Sequence, residues 1–232
     1  MPVNKKVCTY NCIYCECGWT NKRHLPSAGF PSRELIAKSL GKKLVEMRSS
    51  GFLPDSLTYA GNGEPTLHPE FGGIIDDTIE IRNQYAPQSQ IVVLSNASLA
   101  DRPDVKAALL KVDQNVLKLD TGFEETFRIL NQPPKGLTLA DIIAKLKLFP
   151  DNLIIQTMFI RGAFGKHPID NTTEKEISVL LKLYSEIKPR EIQVYTIARD
   201  TPIDTLERIT EEELQHISGR IEALGFKTSV FS

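Results

Sequence analysis

The sequence predicts an α/β protein built around a parallel sheet, and three observations carry that expectation. Short β-rich runs alternate with segments of helical period along the whole chain, an order that calls for parallel pairing through right-handed crossovers. Runs such as Ile91-Val92-Val93-Leu94 are apolar throughout, as strands covered on both faces must be. Candidate helices open on capping patterns, Thr138 with Asp141, Thr173 with Glu176 and Thr210 with Glu213, in which a hydroxyl and a carboxylate satisfy the first free N–H groups.

In chain order the strands fall at residues 57–60, 91–94, 116–120, 153–160 and 191–198, with a further one at 227–231. Helices are expected at 32–49, 69–85, 103–111, 139–148, 174–187 and 211–224. Gly51 and Gly225 sit where the first and last of these should stop, since glycine takes the left-handed conformation of a helix end without strain. The chain shows no internal repeat, low-complexity tract or long linker, so residues 1–232 read as one domain.

Composition narrows the class. A chain of 232 residues, 41% hydrophobic and 25% charged, can bury one sizeable core. The net charge of −1 and an isoelectric point near 6.4 give no global attraction to nucleic acid or anionic membrane. No apolar stretch approaches the roughly 18 residues of a membrane span, and no signal peptide or lipidation motif is seen. A cytoplasmic protein with no membrane partner is expected.

All four cysteines lie between Cys8 and Cys17, and residues 18–232 contain none. Clustered thiols without partners elsewhere point to metal rather than to a disulfide framework. Cys8, Cys12 and Cys15 form a C-x3-C-x2-C run with Tyr14 just before the last thiol. An iron–sulfur cube normally takes four thiolates, so a three-cysteine loop leaves one iron open to another ligand. A zinc site using Cys8, Cys12, Cys15 and Cys17 is the competing reading, although structural zinc sites usually split their ligands between two separated pairs. In spacing and in the aromatic at Tyr14, the loop resembles the cluster loop of the radical S-adenosylmethionine (SAM) enzymes. The resemblance implies a [4Fe-4S] cluster held by Cys8, Cys12 and Cys15, SAM chelated at the free iron, and reductive cleavage to a 5′-deoxyadenosyl radical that abstracts hydrogen from substrate. Cys17 is not expected to ligate; with Trp19 it would pack against or shield the cluster.

Gly61-Asn62-Gly63-Glu64-Pro65 follows the apolar run Leu57-Thr58-Tyr59-Ala60. Glycines ending a strand let backbone approach a ligand, and a carboxylate can accept from an ammonium group. This segment resembles the Gly-Gly-Glu-Pro motif of the same superfamily, which implies that Glu64 orients the SAM amino group; Asn62 stands where the usual motif has glycine. An ordinary strand-to-helix turn is the bland alternative.

The superfamily fold is a partial (β/α)6 barrel of the TIM-like type, and counting strands as it does makes 57–60 the second. Pro2 and the polar Asn4-Lys5-Lys6 before Cys8 make a poor strand, so the first strand is expected to be missing from this chain, leaving an exposed edge beside residues 57–60 open to pairing. Ligands of parallel α/β folds gather at the carboxyl ends of the strands. There the resemblance points to Ser95 and Asn96 for the SAM carboxylate or ribose, and to Gln156 as a cofactor or substrate contact. It further assigns the backbone of Tyr195, Thr196 and Ile197 to adenine. Lys118 and Asp120 share a strand face and could bind SAM or substrate, or form a buried ion pair. Met158 reads as core packing. No hydrogen-abstraction partner or other catalytic residue is legible.

Arg128, Lys135, Arg161, Lys166, His167 and Arg199 give the expected loops an excess of positive groups, suited to an anionic substrate, or simply solvated. Only Cys17 is left over, so one cluster is the maximum, which argues against branches that need further cysteines. The Gly-Asn-Gly-Glu-Pro-Thr-Leu-His-Pro stretch resembles wyosine-type and related uncharacterised members in general character. Glycyl-radical-enzyme activases and RNA modifiers remain open, with a flavodoxin or ferredoxin as the implied electron donor and an unknown substrate, either anionic or a partner protein. A zinc-stabilised binding module is the non-enzyme alternative.

Overall fold

The computed structural model describes residues 5–20 and 29–232. Six strands, β1 (Ser56–Tyr59), β2 (Gln90–Ser95), β3 (Gln114–Lys118), β4 (Leu153–Met158), β7 (Glu191–Tyr195) and β9 (Lys227–Phe231), form one sheet in that spatial order. Every pairing in it is parallel. Around it lie α1 (Arg33–Ser49), α2 (Phe71–Tyr85), α3 (Pro103–Leu109), α4 (Glu124–Leu130), α5 (Leu139–Leu146), α6 (Glu174–Ile187) and α7 (Glu211–Glu222). A second, antiparallel sheet of β5 (Ile160–Phe164), β6 (His167–Asp170) and β8 (Leu206–Arg208) has the order β6-β5-β8.

Alternation along the strands separates two apolar layers. Ile91, Val93, Leu117, Ile155, Ile192 and Val194 join Phe71, Ile75, Leu109, Leu146, Leu180 and Ile217 of the helices in the main core. Val92, Val116 and Ile154 form a separate cluster on the other face. Each such side chain contributes about 1.5–3 kcal/mol on burial, so the helix-covered face dominates stability. The capping boxes at Thr138 with Asp141 and Thr210 with Glu213 are present, Thr173 accepts from Glu176 N, and Ser32 caps α1. Gly51 and Gly225 both take positive φ, 74° and 89°, just past α1 and α7.

The structure corrects several expectations. The run expected as one strand over 153–160 ends at Met158, and from Ile160 the chain crosses into the second sheet. Gly162 makes that crossing possible: its φ is 131°, and a Cβ there would lie 2.2 Å from the Thr205 carbonyl oxygen. The strands expected to reach 120 and 198 stop at Lys118 and Tyr195. Helix α4 was not expected; it carries Arg128 on a helix, while Arg161 and His167 lie in β5 and β6 rather than in loops. Of the expected poor first strand, Pro2 and Asn4 lie outside the described residues. Val7 forms a single parallel bridge with Gly63, and β1 is an edge of the sheet.

Candidate functional site

The candidate site residues gather at the carboxyl ends of β1, β2, β3, β4 and β7 and on the cysteine loop. The loop is fixed first by backbone. Val7 N–H donates to Asn62 O (2.9 Å) and Glu64 N–H to Val7 O (2.8 Å), while Asn11 N–H and Ile13 N–H donate to Asn131 O (3.2 Å) and Leu130 O (3.0 Å). The latter pair satisfies carbonyls that the end of α4 leaves without helical partners. Thr20 N–H to Asn11 Oδ1 (2.6 Å) and Lys6 Nζ to Gly18 O (2.6 Å) close the loop on itself. Ile13 and Tyr14 pack with Leu130, Met158, Ile160 and Ile197, anchoring the loop on the second sheet and the end of β7.

None of the cysteines is in a disulfide; Cys8, Cys12 and Cys15 are half-buried and Cys17 is exposed. Burial pushes the Cys8 thiol up to about 12, with the neighbouring Cys12 and Glu64 adding to the rise. Burial, and then Asp120, pushes Cys12 up to about 11. Burial and the adjacent Cys15 also raise Cys17. A metal binding such thiols displaces their protons. Among the described residues no group of three or more His, Cys, Asp or Glu side chains is gathered closely enough to hold a metal ion in this structure. The donor set nevertheless fits an iron–sulfur cluster: soft, unpaired, half-buried sulfurs follow one another on a loop braced at both ends.

Three successive positive φ values, 79° at Gly61, 35° at Asn62 and 131° at Gly63, turn the chain after β1. At Gly63 the requirement is steric as well, because a Cβ would lie 1.8 Å from Val7 O. Gly61 borders open space, so its backbone is accessible to a ligand. The Glu64 carboxylate points inward. It accepts from Thr66 N–H (3.1 Å), Thr66 Oγ1 (2.6 Å), Ser95 Oγ (2.8 Å) and Asn96 N–H (2.7 Å), and burial raises its pKa. It staples the turn after β1 to the end of β2.

Ser95 and Asn96 are both buried. Beyond its bond to Glu64, Ser95 Oγ accepts from Ala97 N–H (3.1 Å). Asn96 Oδ1 accepts from Ser98 N–H (2.9 Å), and its Nδ2 donates to Thr9 Oγ1 (2.9 Å) and Cys8 Sγ (3.5 Å). The pair therefore braces the cysteine loop.

Lys118 and Asp120 form the buried ion pair, at 3.1 Å, inside a wider network. Asp120 accepts from the Tyr14 hydroxyl, from Asn131 Nδ2 (2.6 Å) and from Met158 N–H (2.9 Å). Lys118 Nζ donates to the Tyr195 hydroxyl and lies 5.1 Å and 4.4 Å from the ring centres of Tyr14 and Tyr195. Burial opposes the ammonium charge, but Asp120 and Tyr195 outweigh it and hold the Lys118 pKa above its usual value. Burial pushes Tyr195 up to about 12. Gln156 shares this sheet face and donates to Gln193 Oε1 (3.1 Å).

Tyr195 O already accepts from Phe159 N–H (2.8 Å), and the Thr196 hydroxyl donates to Phe159 O (2.9 Å) and accepts from Ile209 N–H (2.9 Å). Ile197 is buried. From Ile197 onward the chain lines a cavity of about 500 Å³ with Ala198, Arg199 and Asp200. Arg199 reaches Glu16 between the last two cysteines at 3.5 Å. Met158 is core, as expected. Sequence reasoning missed Asn131. It holds Cys12, Tyr14 and Asp120 together, yet in the sequence it is one amide in a polar stretch before Pro133-Pro134.

No family model matches the chain. A protein of Brachyspira hyodysenteriae named GTPase Obg is 25% identical over 222 residues, covering 94% of this chain and 30% of that protein. A UPF0026 protein of Methanocaldococcus jannaschii is 28% identical over 198 residues, covering 84% of this chain and 57% of its own. The chain thus spans less than two thirds of either relative. Among solved structures, SuiB of Streptococcus suis bound to S-adenosylmethionine superposes with a TM-score of 0.67 at 16% identity, over 99% of this chain and 49% of that one. A radical SAM methyltransferase from Sphaerobacter thermophilus gives 0.67 at 14% identity, over 97% and 63%. A domain of pyruvate-formate lyase-activating enzyme from Bacteroides vulgatus gives 0.56 at 20%, over 77% of this chain and all of that one. These likenesses establish the fold.

Proposed function

We infer that this chain, which has the fold of the radical SAM enzymes, is an enzyme that cleaves S-adenosylmethionine reductively. The observation that carries the reading is the position of the cysteine loop: three half-buried, unpaired thiols are locked by main-chain bonds between the turn after β1 and the end of α4, at the carboxyl ends of parallel strands. A [4Fe-4S] cluster held there would supply the electron for reductive cleavage of SAM, the source of a radical for hydrogen abstraction. Cys8, Cys12 and Cys15 would hold it. The accessible backbone at Gly61 would meet the SAM methionine group, and the backbone at Thr196 and Ile197, beside the cavity that opens there, would meet its adenine. Glu64, Ser95 and Asn96 keep these loops in register, and Tyr14 with Ile13 and Ile197 excludes water beneath the thiols.

The solved neighbours include a methyltransferase, a protein bound to a precursor peptide and a domain of an activating enzyme. The proposal is therefore confined to the cleavage step. Glycyl-radical activation and RNA modification are refinements of it, and a small reductant such as flavodoxin or ferredoxin is its electron source. No helix among the described residues is long and apolar enough to cross a membrane, and unpaired thiols suit a reducing cytoplasm. Anaerobic reconstitution with iron and sulfide tests the reading. A brown protein with about four irons that forms 5′-deoxyadenosine from SAM and dithionite supports it. A colourless protein holding one zinc overturns it in favour of a zinc-stabilised module.

A further inference from the structure

We propose that two side-chain amides, Asn96 and Asn131, act as positioning residues that donate N–H···S hydrogen bonds to Cys8 and Cys12 and thereby raise the reduction potential of the cluster these cysteines hold. The inference rests on the reading above and concerns residues to which that reading gives no electronic role.

Asn96 Nδ2 lies 3.5 Å from Cys8 Sγ and Asn131 Nδ2 lies 3.7 Å from Cys12 Sγ. Both amides are buried, so neither bond competes with bulk water. Their orientations follow from their other partners. Asn96 Oδ1 accepts from Ser98 N–H, which leaves only its NH2 to face Thr9 and Cys8. Asn131 Nδ2 lies 2.6 Å from the Asp120 carboxylate, a position an amide oxygen could not occupy without repulsion, and its two hydrogens are shared among Asp120, the Tyr14 hydroxyl (2.9 Å) and Cys12, so its bond to sulfur is the weaker of the two. Its Oδ1 is buried without a partner, so donors, not the acceptor, set where this side chain sits. Reduction adds negative charge that spreads onto the ligating sulfurs, and N–H dipoles aimed at those sulfurs stabilise the reduced state.

The test uses anaerobically reconstituted protein and an EPR-monitored redox titration. Asn96→Ser retains an acceptor for Ser98 N–H and removes the donor to Cys8; Asn131→Ala removes the donor to Cys12. Each variant is expected to keep the wild-type iron content and to titrate at a more negative midpoint than wild type. Because Asn131→Ala also withdraws a donor from Asp120, Asn96→Ser is the deciding variant. A second measurement needs no substitution: the reduced wild-type cluster, in protein labelled with 15N at the asparagine side chains, is expected to show 15N hyperfine coupling. Full iron content with an unchanged Asn96→Ser midpoint, or no coupling in the labelled protein, overturns the proposal while leaving the cluster reading intact. A wild-type protein that assembles no cluster overturns both.

Discussion

Replacing Asp120 by asparagine strikes the carboxylate that holds the buried ion pair of the site. Its side chain is wholly buried, pairs with Lys118 at 3.1 Å and accepts from Tyr14, Asn131 and Met158 N–H. In Asp120→Asn one oxygen becomes an NH2 that must face existing donors, and the Lys118 ammonium, whose side chain is 16% exposed, loses its counter-ion. Breaking one side of a buried pair costs about 3–5 kcal/mol. Lys118→Met leaves Asp120 with its three hydrogen bonds and should cost about 1.5–3 kcal/mol, the worth of a charge-assisted bond. The double variant is expected to recover part of the Asp120→Asn loss, with a coupling of about 1–3 kcal/mol. Urea unfolding of the metal-free protein followed by circular dichroism measures all three. The pH dependence supplies a separate check, because the folded pKa of Lys118 is raised. Its stabilisation is complete below the unfolded ammonium pKa of about 10.4 and is lost as pH rises through the folded value. Wild type should therefore show an alkaline loss of stability that Lys118→Met lacks. An Asp120→Asn cost below about 1 kcal/mol, the range of an exposed pair, would refute the argument.

Gly63→Ala places a Cβ 1.8 Å from Val7 O; losing both bonds of the Val7 bridge and straining φ should cost about 2–4 kcal/mol, read as a lower urea midpoint and reduced iron uptake, and normal values for both would contradict it. Cys12→Ala should abolish cluster assembly whereas Cys17→Ala, at an exposed thiol, should leave iron content near wild type; equal losses would make Cys17 a ligand. Glu213 and Glu174 are each held down at about 2 by hydrogen bonds, first from Arg161 and Arg220 respectively. Their stabilisation is present above the unfolded carboxylate value and fades as pH falls toward 2, so thermal melts of Glu213→Gln between pH 5 and pH 2 should show a shallower acid decline than wild type.

Elements that depend on local chemistry were legible in the sequence; those that depend on distant partners were not. The apolar run at Ile91 to Leu94 and the caps at Thr138 and Thr210 each act within a few residues and appear in the structure as read; at Thr173 only the hydroxyl half of the pattern forms, because the Glu176 carboxylate turns to Thr121 and Thr126. The break after Met158 was hidden because Phe159 and Ile160 continue a β-rich pattern, while Gly162 accommodates a close approach by Thr205, 43 positions away. Helix α4 escaped notice because seven residues give too few turns for a period to show. The same division runs through the site. Three thiols and two glycines announce themselves by type, whereas Asn131 matters only because the fold brings it to Cys12 and Asp120.

The basic residues that suggested an anionic substrate lose most of their force in three dimensions. Arg128 pairs with Glu124 at 2.6 Å, Arg161 with Glu213 at 2.6 Å, and Arg199 with Glu16 at 3.5 Å; Lys135, Lys166 and His167 are exposed, where water screens them. On the sheet face the buried Lys118 cation has Asp120 beside it and two tyrosine rings against it, while Lys6 donates to Gly18 O within the cysteine loop. What the sheet face beyond that pair offers is hydrogen bonding: the Gln156 and Gln193 amides bonded to each other at 3.1 Å, and the Tyr195 hydroxyl. A ligand on this sheet face would therefore meet the fixed geometry of neutral donors and acceptors more than an unpaired positive charge.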